Sequence, residues 1–135
     1  MSSALERSID YLVSEGLQHR ILLPDDPEYA TRNDSYWSNS SKLKPAYILQ
    51  PHAASEVSIA VNALVASGQR FAVRSGGCNF WPSNNIDGGV TIDLGHMNSV
   101  EYNSEDETVS IGPGARWGEV SGSTIETDST VICSF

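Results

Sequence analysis

Between Ala46 and Arg74 the chain runs from a short β-rich segment through apolar residues at helical spacing to a second β-rich segment. That order admits few folds. Ala46, Tyr47, Ile48 and Leu49 form the first segment, which closes at Pro51. Val57, Ala60, Val61, Leu64 and Val65 then recur at helical intervals, with Ser55 as the expected cap and Gly68 as the stop. The spacing predicts a helix over 55–67 and a second strand from Arg70 to Arg74. Parallel strands need a long crossover, so strand, helix and strand read together as a parallel βαβ unit.

The second strand runs directly into Ser75-Gly76-Gly77-Cys78-Asn79. A glycine pair reaches backbone conformations closed to other residues and keeps side chains away from the amide groups. Successive N–H groups in such a turn can form a concave nest for a phosphate or pyrophosphate. The turn sits at the carboxyl end of a parallel strand, where open α/β sheets place their ligands. A Gly-Gly between strands is by itself usually only a turn; here topology and motif agree on one location.

Elsewhere the reading is coarser. Ser3 and Glu6 form a capping box ahead of Leu5, Ile9, Leu12 and Val13, an amphipathic helix stopped by Gly16. From Pro24 to Pro45 the composition predicts loop, pinned by Tyr29, Tyr36 and Trp37. Val90–Leu94, Val100–Tyr102 and Thr108–Ile111 read as further strands, and Arg116–Val120 as the start of a helix. The fold class is therefore α+β, a small parallel βαβ sheet with further short strands. Residues 1–40 are expected to form an N-terminal helix and loop, and residues 41–135 the main domain.

The net charge is −9, from 17 acidic and 8 basic residues, which argues against nucleic acid or an anionic membrane as partner. No stretch approaches the roughly 20 apolar residues of a membrane span. The N-terminus lacks a secretory pattern, so the expectation is a cytoplasmic protein. Cys78 and Cys133 are too few and too far apart for a disulfide framework, and His52 and His96 follow no metal-ligand spacing.

The motifs resemble the N-terminal flavin-binding region of the FAD-linked oxidoreductases that include vanillyl-alcohol oxidase and berberine bridge enzyme, fungal members above all. The resemblance runs through Lys44–Pro51, Gly68–Gly77, Asn84–Leu94, Val109–Ala115 and Trp117–Val120. It implies part of a PCMH-type FAD-binding domain, with Arg74, Ser75, Gly76, Gly77, Cys78 and Asn79 around the FAD pyrophosphate. The family residue matching Cys78 is usually a histidine bonded covalently to flavin, so the cofactor expected here is noncovalent FAD. Relatives continue into a second flavin subdomain and a substrate domain beyond the Trp117–Val120 region, so the chain reads as truncated.

The implied activity is flavin-mediated oxidation of a small molecule in secondary metabolism, weak or absent in the chain alone. A non-catalytic remnant or partner module is the main alternative, and a non-redox isomerase or cyclase a lesser one. Catalytic residues are not assigned. Arg74, Asp93 and Asp87 read as a surface charge, a strand-end hydrogen bond and a turn residue, and Trp81 either walls the cleft or covers the core. Apolar surface meant for later parts of the fold predicts marginal stability, with self-association or docking to another chain.

Overall fold

A computed structural model describes residues 2–79 and 81–125 of the chain. Helix α1 spans Ala4–Ser14, and its capping box forms as expected: Glu6 N donates to Ser3 Oγ at 3.1 Å and Ser3 N to Glu6 Oε2 at 2.7 Å. Strand β1 (Ile21–Leu22), too short to stand out in the sequence, pairs antiparallel with β2 (Tyr47–Leu49). Helix α2 occupies Pro27–Asp34, between these two strands in the chain. Helix α3 (Ala54–Ser67) leads to β3 (Phe71–Arg74), and β4 (Val90–Asp93) follows. Strands β2 and β3 are parallel, as the βαβ reading required, but they are not neighbours. Strand β4 lies between them and pairs parallel with both, giving the order β1-β2-β4-β3. All four residues of β4 are buried, as befits a central parallel strand covered on both faces.

Helix α3 begins one residue earlier than expected, because Ser55 is not its cap. The N-cap is Ala53, which has no side-chain cap bond, and Glu56 in the first turn fixes the entry of the chain instead, accepting from His52 N at 2.7 Å and held by Arg20 at 3.0 Å. The buried face is Ala60, Ala63, Leu64 and Ser67, whereas Val65 is exposed. Small residues on this face let α3 come close to α1, and Arg7 Nη2 donates to Ser67 O at 3.0 Å. Leu12, Leu17, Tyr47, Leu49, Leu64, Val90 and Ile92 complete the core. Each large aliphatic side chain buried there contributes about 1.5–3 kcal/mol. Residues before 41 and after it thus share one core.

The expectation of plain loop from Pro24 to Pro45 is corrected by α2 and by a 3-10 turn at Asn39–Ser41. Pro27 starts α2 with its φ already suited to a helix. Tyr29 OH donates to Pro45 O at 2.6 Å, a tertiary anchor that composition could not reveal.

Strands β5 (Val100–Asn103) and β6 (Thr108–Ile111) form a separate antiparallel hairpin around a turn that carries Glu105, Asp106 and Glu107. Helix α4 spans Trp117–Ile125. Residues 126–135, Cys133 among them, lie outside the described residues. Among the described residues, no helix is long and apolar enough to cross a membrane.

Candidate functional site: an amide nest over a buried arginine

The loop after β3 is fastened at its carbonyls and side chains while its amides stay open. Trp37 N donates to Gly77 O at 3.1 Å, Arg116 Nη2 to Gly76 O at 3.1 Å, and Ser41 Oγ to Asn79 O at 3.0 Å. Ser75 Oγ donates to Pro113 O. The Asn79 side chain donates to Ser83 Oγ at 2.8 Å and accepts from Trp81 N at 3.1 Å, holding the next turn. By contrast, none of the amides of Ser75, Gly76, Gly77, Cys78 and Asn79 donates to another group among the described residues. Gly77 has φ +73°, a left-handed conformation that glycine adopts without strain.

Beneath the loop lies Arg74, only 1% exposed. The expectation of a surface charge is corrected: its guanidinium turns inward. Nη1 donates to Arg32 O and Nη2 to Ser35 Oγ, each at 2.8 Å, and Cζ stands 3.9 Å above the Tyr36 ring centroid. Among the described residues Nε has no hydrogen-bond partner. A Cβ at residue 77 would stand 2.9 Å from both Nε and Nη2, so the loop can rest on the guanidinium only where residue 77 is glycine. Burial, above all, lowers the Arg74 pKa from its ordinary value, with Arg32 acting in the same direction. Burial pushes the Tyr36 phenol up to about 12, which keeps that ring neutral beneath the cation.

Asp93, at the end of β4, is fully buried and does more than make a strand-end hydrogen bond. It receives Arg32 Nε and Nη2, the latter at 2.8 Å, together with Gln50 Nε2 at 3.1 Å and Gly95 N at 3.1 Å. Burial opposes its ionisation, but the hydrogen bonds and charge of Arg32 win and leave its pKa below the ordinary value. Arg32, Arg74 and Asp93 together carry one net positive charge under the loop. Asp87 is the expected turn residue, accepting from Lys44 N at 2.7 Å.

Cys78 is exposed, with Sγ 3.7 Å from Gly76 O, and is the one free cysteine among the described residues. Trp81 is 76% exposed, which removes the option that it covers the core. His52 and His96, far apart in sequence, stack at 4.5 Å between ring centroids. No group of three or more metal-ligating side chains occurs among the described residues. A hollow of about 600 Å³ between Leu43, Arg70, Phe71 and Ile86 touches none of the five open amides. The site is therefore assigned on donor chemistry, not volume. Arg116 and Ser41 are the contributors that sequence reasoning missed, and no local pattern marked them; Trp37, read as an aromatic anchor, is 67% exposed and holds the loop through its backbone N–H instead.

Residues 45–131, more than half of the chain, match the FAD binding domain family. The chain belongs to that family. The FAD-dependent monooxygenase sdcF of Emericella nidulans is 36% identical over 111 residues, covering 80% of this chain and 23% of the relative. The FAD-dependent monooxygenase drtC of Aspergillus calidoustus is 40% identical over 100 residues, covering 70% and 19%. The chain thus spans about a quarter or less of these relatives. Among solved structures, 6-hydroxy-D-nicotine oxidase from Arthrobacter nicotinovorans matches with a TM-score of 0.72 at 26% identity, covering 78% of this chain and 23% of that one. A variant of berberine bridge enzyme shares the fold with a TM-score of 0.79 at 20% identity, covering 90% and 26%. The α+β fold is that of PCMH-type FAD-binding domains, as the motifs implied, and FAD is the cofactor of the family. Open amides, a missing Cβ and a buried cation form a donor set that fits a polyanionic group.

Proposed function

We propose that the Ser75–Asn79 loop binds the pyrophosphate of FAD through its backbone amides, as one wall of the flavin site of an oxidoreductase acting on a small molecule. The observation that carries this reading is the set of five amides with no acceptor among the described residues, beside a buried cation, in a chain of the FAD binding domain family. Oriented amides of this kind hold an anion without the conformational cost of long side chains.

When bound, FAD supplies the redox chemistry, taking a hydride equivalent from a substrate carbon. The chain's own residues bind and orient. Arg116 holds the Gly76 carbonyl and Trp37 the Gly77 carbonyl, which turns the amides of Gly77 and Cys78 away from those contacts, and Ser41 fixes the far end of the loop at Asn79 O. The described hydrogen bonds of the loop run to backbone groups, hydroxyls and a guanidinium, an arrangement suited to holding the cofactor. With cysteine at position 78, where the family usually carries its attachment histidine, the binding is noncovalent. The names of the fungal relatives support an assignment to the FAD-dependent monooxygenase group, and a place in secondary metabolism is part of the same proposal.

The experiment is to incubate the chain with FAD, remove free flavin and precipitate the protein with acid. Flavin should co-migrate with the native protein and appear wholly in the acid supernatant. Flavin that stays in the pellet would refute the noncovalent assignment, and a colourless native protein would refute FAD binding by this chain.

A further inference from the structure

Arg74 is a buried cation with no carboxylate in hydrogen-bond contact. Its two described donor bonds go to a neutral carbonyl and a neutral hydroxyl, its face to a neutral phenol, and its Nε to nothing among the described residues. The one carboxylate nearby, Asp93, is already committed to Arg32. Asp93 favours the charged form of Arg74 only through space, and a charge removed from water without a directly bonded carboxylate is costly, so this arrangement persists at the expense of stability. The unpartnered edge is the one that lies against Gly77, within the loop that carries the open amides. Other charges at the loop do not replace it: Arg116 spends Nη2 on Gly76 O in an exposed contact.

We propose that Arg74 is the residue that makes this nest selective for a pyrophosphate, acting from beneath the loop as a fixed counter-charge rather than as a surface ligand. The inference rests on the FAD reading above and adds the source of its specificity. Neutral amide donors accept any small anion or polar group, whereas a buried unit charge weights the site toward the most highly charged ligand. Tyr36 and Ser35 are then positioning residues, which hold the guanidinium flat under Gly77.

The test compares ADP, which carries a pyrophosphate, with adenosine, which does not, using quenching of tryptophan emission by FAD and its displacement by each. In the wild-type chain ADP should displace FAD far better than adenosine, and added salt should weaken ADP more than adenosine. Arg74→Met should lower ADP and FAD affinity by roughly tenfold or more, the scale of a unit charge acting inside a protein. Adenosine should be unaffected and the salt dependence flattened. Arg74→Lys, which restores the charge, should recover part of the loss. A purely structural Arg74 would lower the melting temperature of Arg74→Met while leaving the ADP-to-adenosine ratio unchanged, and that result overturns the proposal.

Should Arg74→Met fail to fold, the wild type still decides. The Arg74 Nε–H resonance should shift in proportion to ADP occupancy, and an unshifted resonance at saturation overturns the proposal. Failure of the wild type to bind FAD at all would sink the FAD reading together with this inference. Binding of FAD that ignores residue 74 would sink the inference alone.

Discussion

Replacing Asp93 with asparagine should be among the most damaging single changes in the chain, and the structure gives both its size and its pH signature. Asp93 is fully buried, while its partner Arg32 is 24% exposed at the side chain. Removing one member of a buried pair ordinarily costs about 3–5 kcal/mol, because the other charge is left uncompensated. Water reaches part of Arg32, so the expected loss is roughly 2–4 kcal/mol. In urea that is a fall of about 1–2 M in the unfolding midpoint, for a slope of about 2 kcal/mol per M. The pH dependence follows from linkage. The folded carboxyl lies below its ordinary value, so its contribution is fully present above the unfolded pKa of about 3.9. As pH falls below that point, the unfolded chain takes up the proton first, and the contribution is lost as pH passes through the folded value. Urea curves of wild type and Asp93→Asn should therefore lie far apart at pH 7 and converge below about pH 4. A variant within about 0.5 kcal/mol of wild type at pH 7, or a gap that stays constant into acid, would refute the buried-pair argument.

Two further outcomes are expected. Asn85 receives Thr91 Oγ1 at 2.8 Å and donates to Ser41 O at 2.8 Å, tying β4 to the segment that also holds the loop. Asn85→Ala should cost roughly 2–3 kcal/mol in chemical denaturation, because it strands buried polar groups, and a neutral effect would show that the network is dispensable. Cys78→Ser should leave FAD affinity within about twofold, since the thiol makes only a weak hydrogen bond to the Gly76 carbonyl; a large loss in a binding titration would show that sulfur contacts the cofactor.

The elements legible in the sequence are those fixed by residues close together in the chain. The Ser3–Glu6 box starts α1, the apolar positions from Val57 to Leu64 build α3, and Val90–Asp93 reads as a strand because its residues suit a pleated, buried surface. The Gly-Gly turn is equally local. What escapes a sequence reading depends on distant partners. Helix α2 reads as polar loop until Arg32 meets Asp93 across 61 positions and Tyr29 reaches Pro45. Arg74 reads as a surface cation because Ser35, 39 positions away, and Tyr36 are what bury it. Insertion of β4 between β2 and β3 is hidden for a similar reason. A crossover helix specifies parallel direction but not which strand sits between the two it joins.

The claim at the centre is that the amides of Ser75 to Asn79 receive the pyrophosphate of FAD. Amide chemical-shift mapping of the 15N-labelled chain during titration with FAD, and with ADP in parallel, tests it most directly. The expected result is that Ser75, Gly76, Gly77, Cys78 and Asn79 show the largest saturable shifts with both ligands. Shifts concentrated instead around Leu43, Phe71 and Ile86, with the loop amides unmoved, would place the ligand in the hollow beside β3 and contradict the assignment.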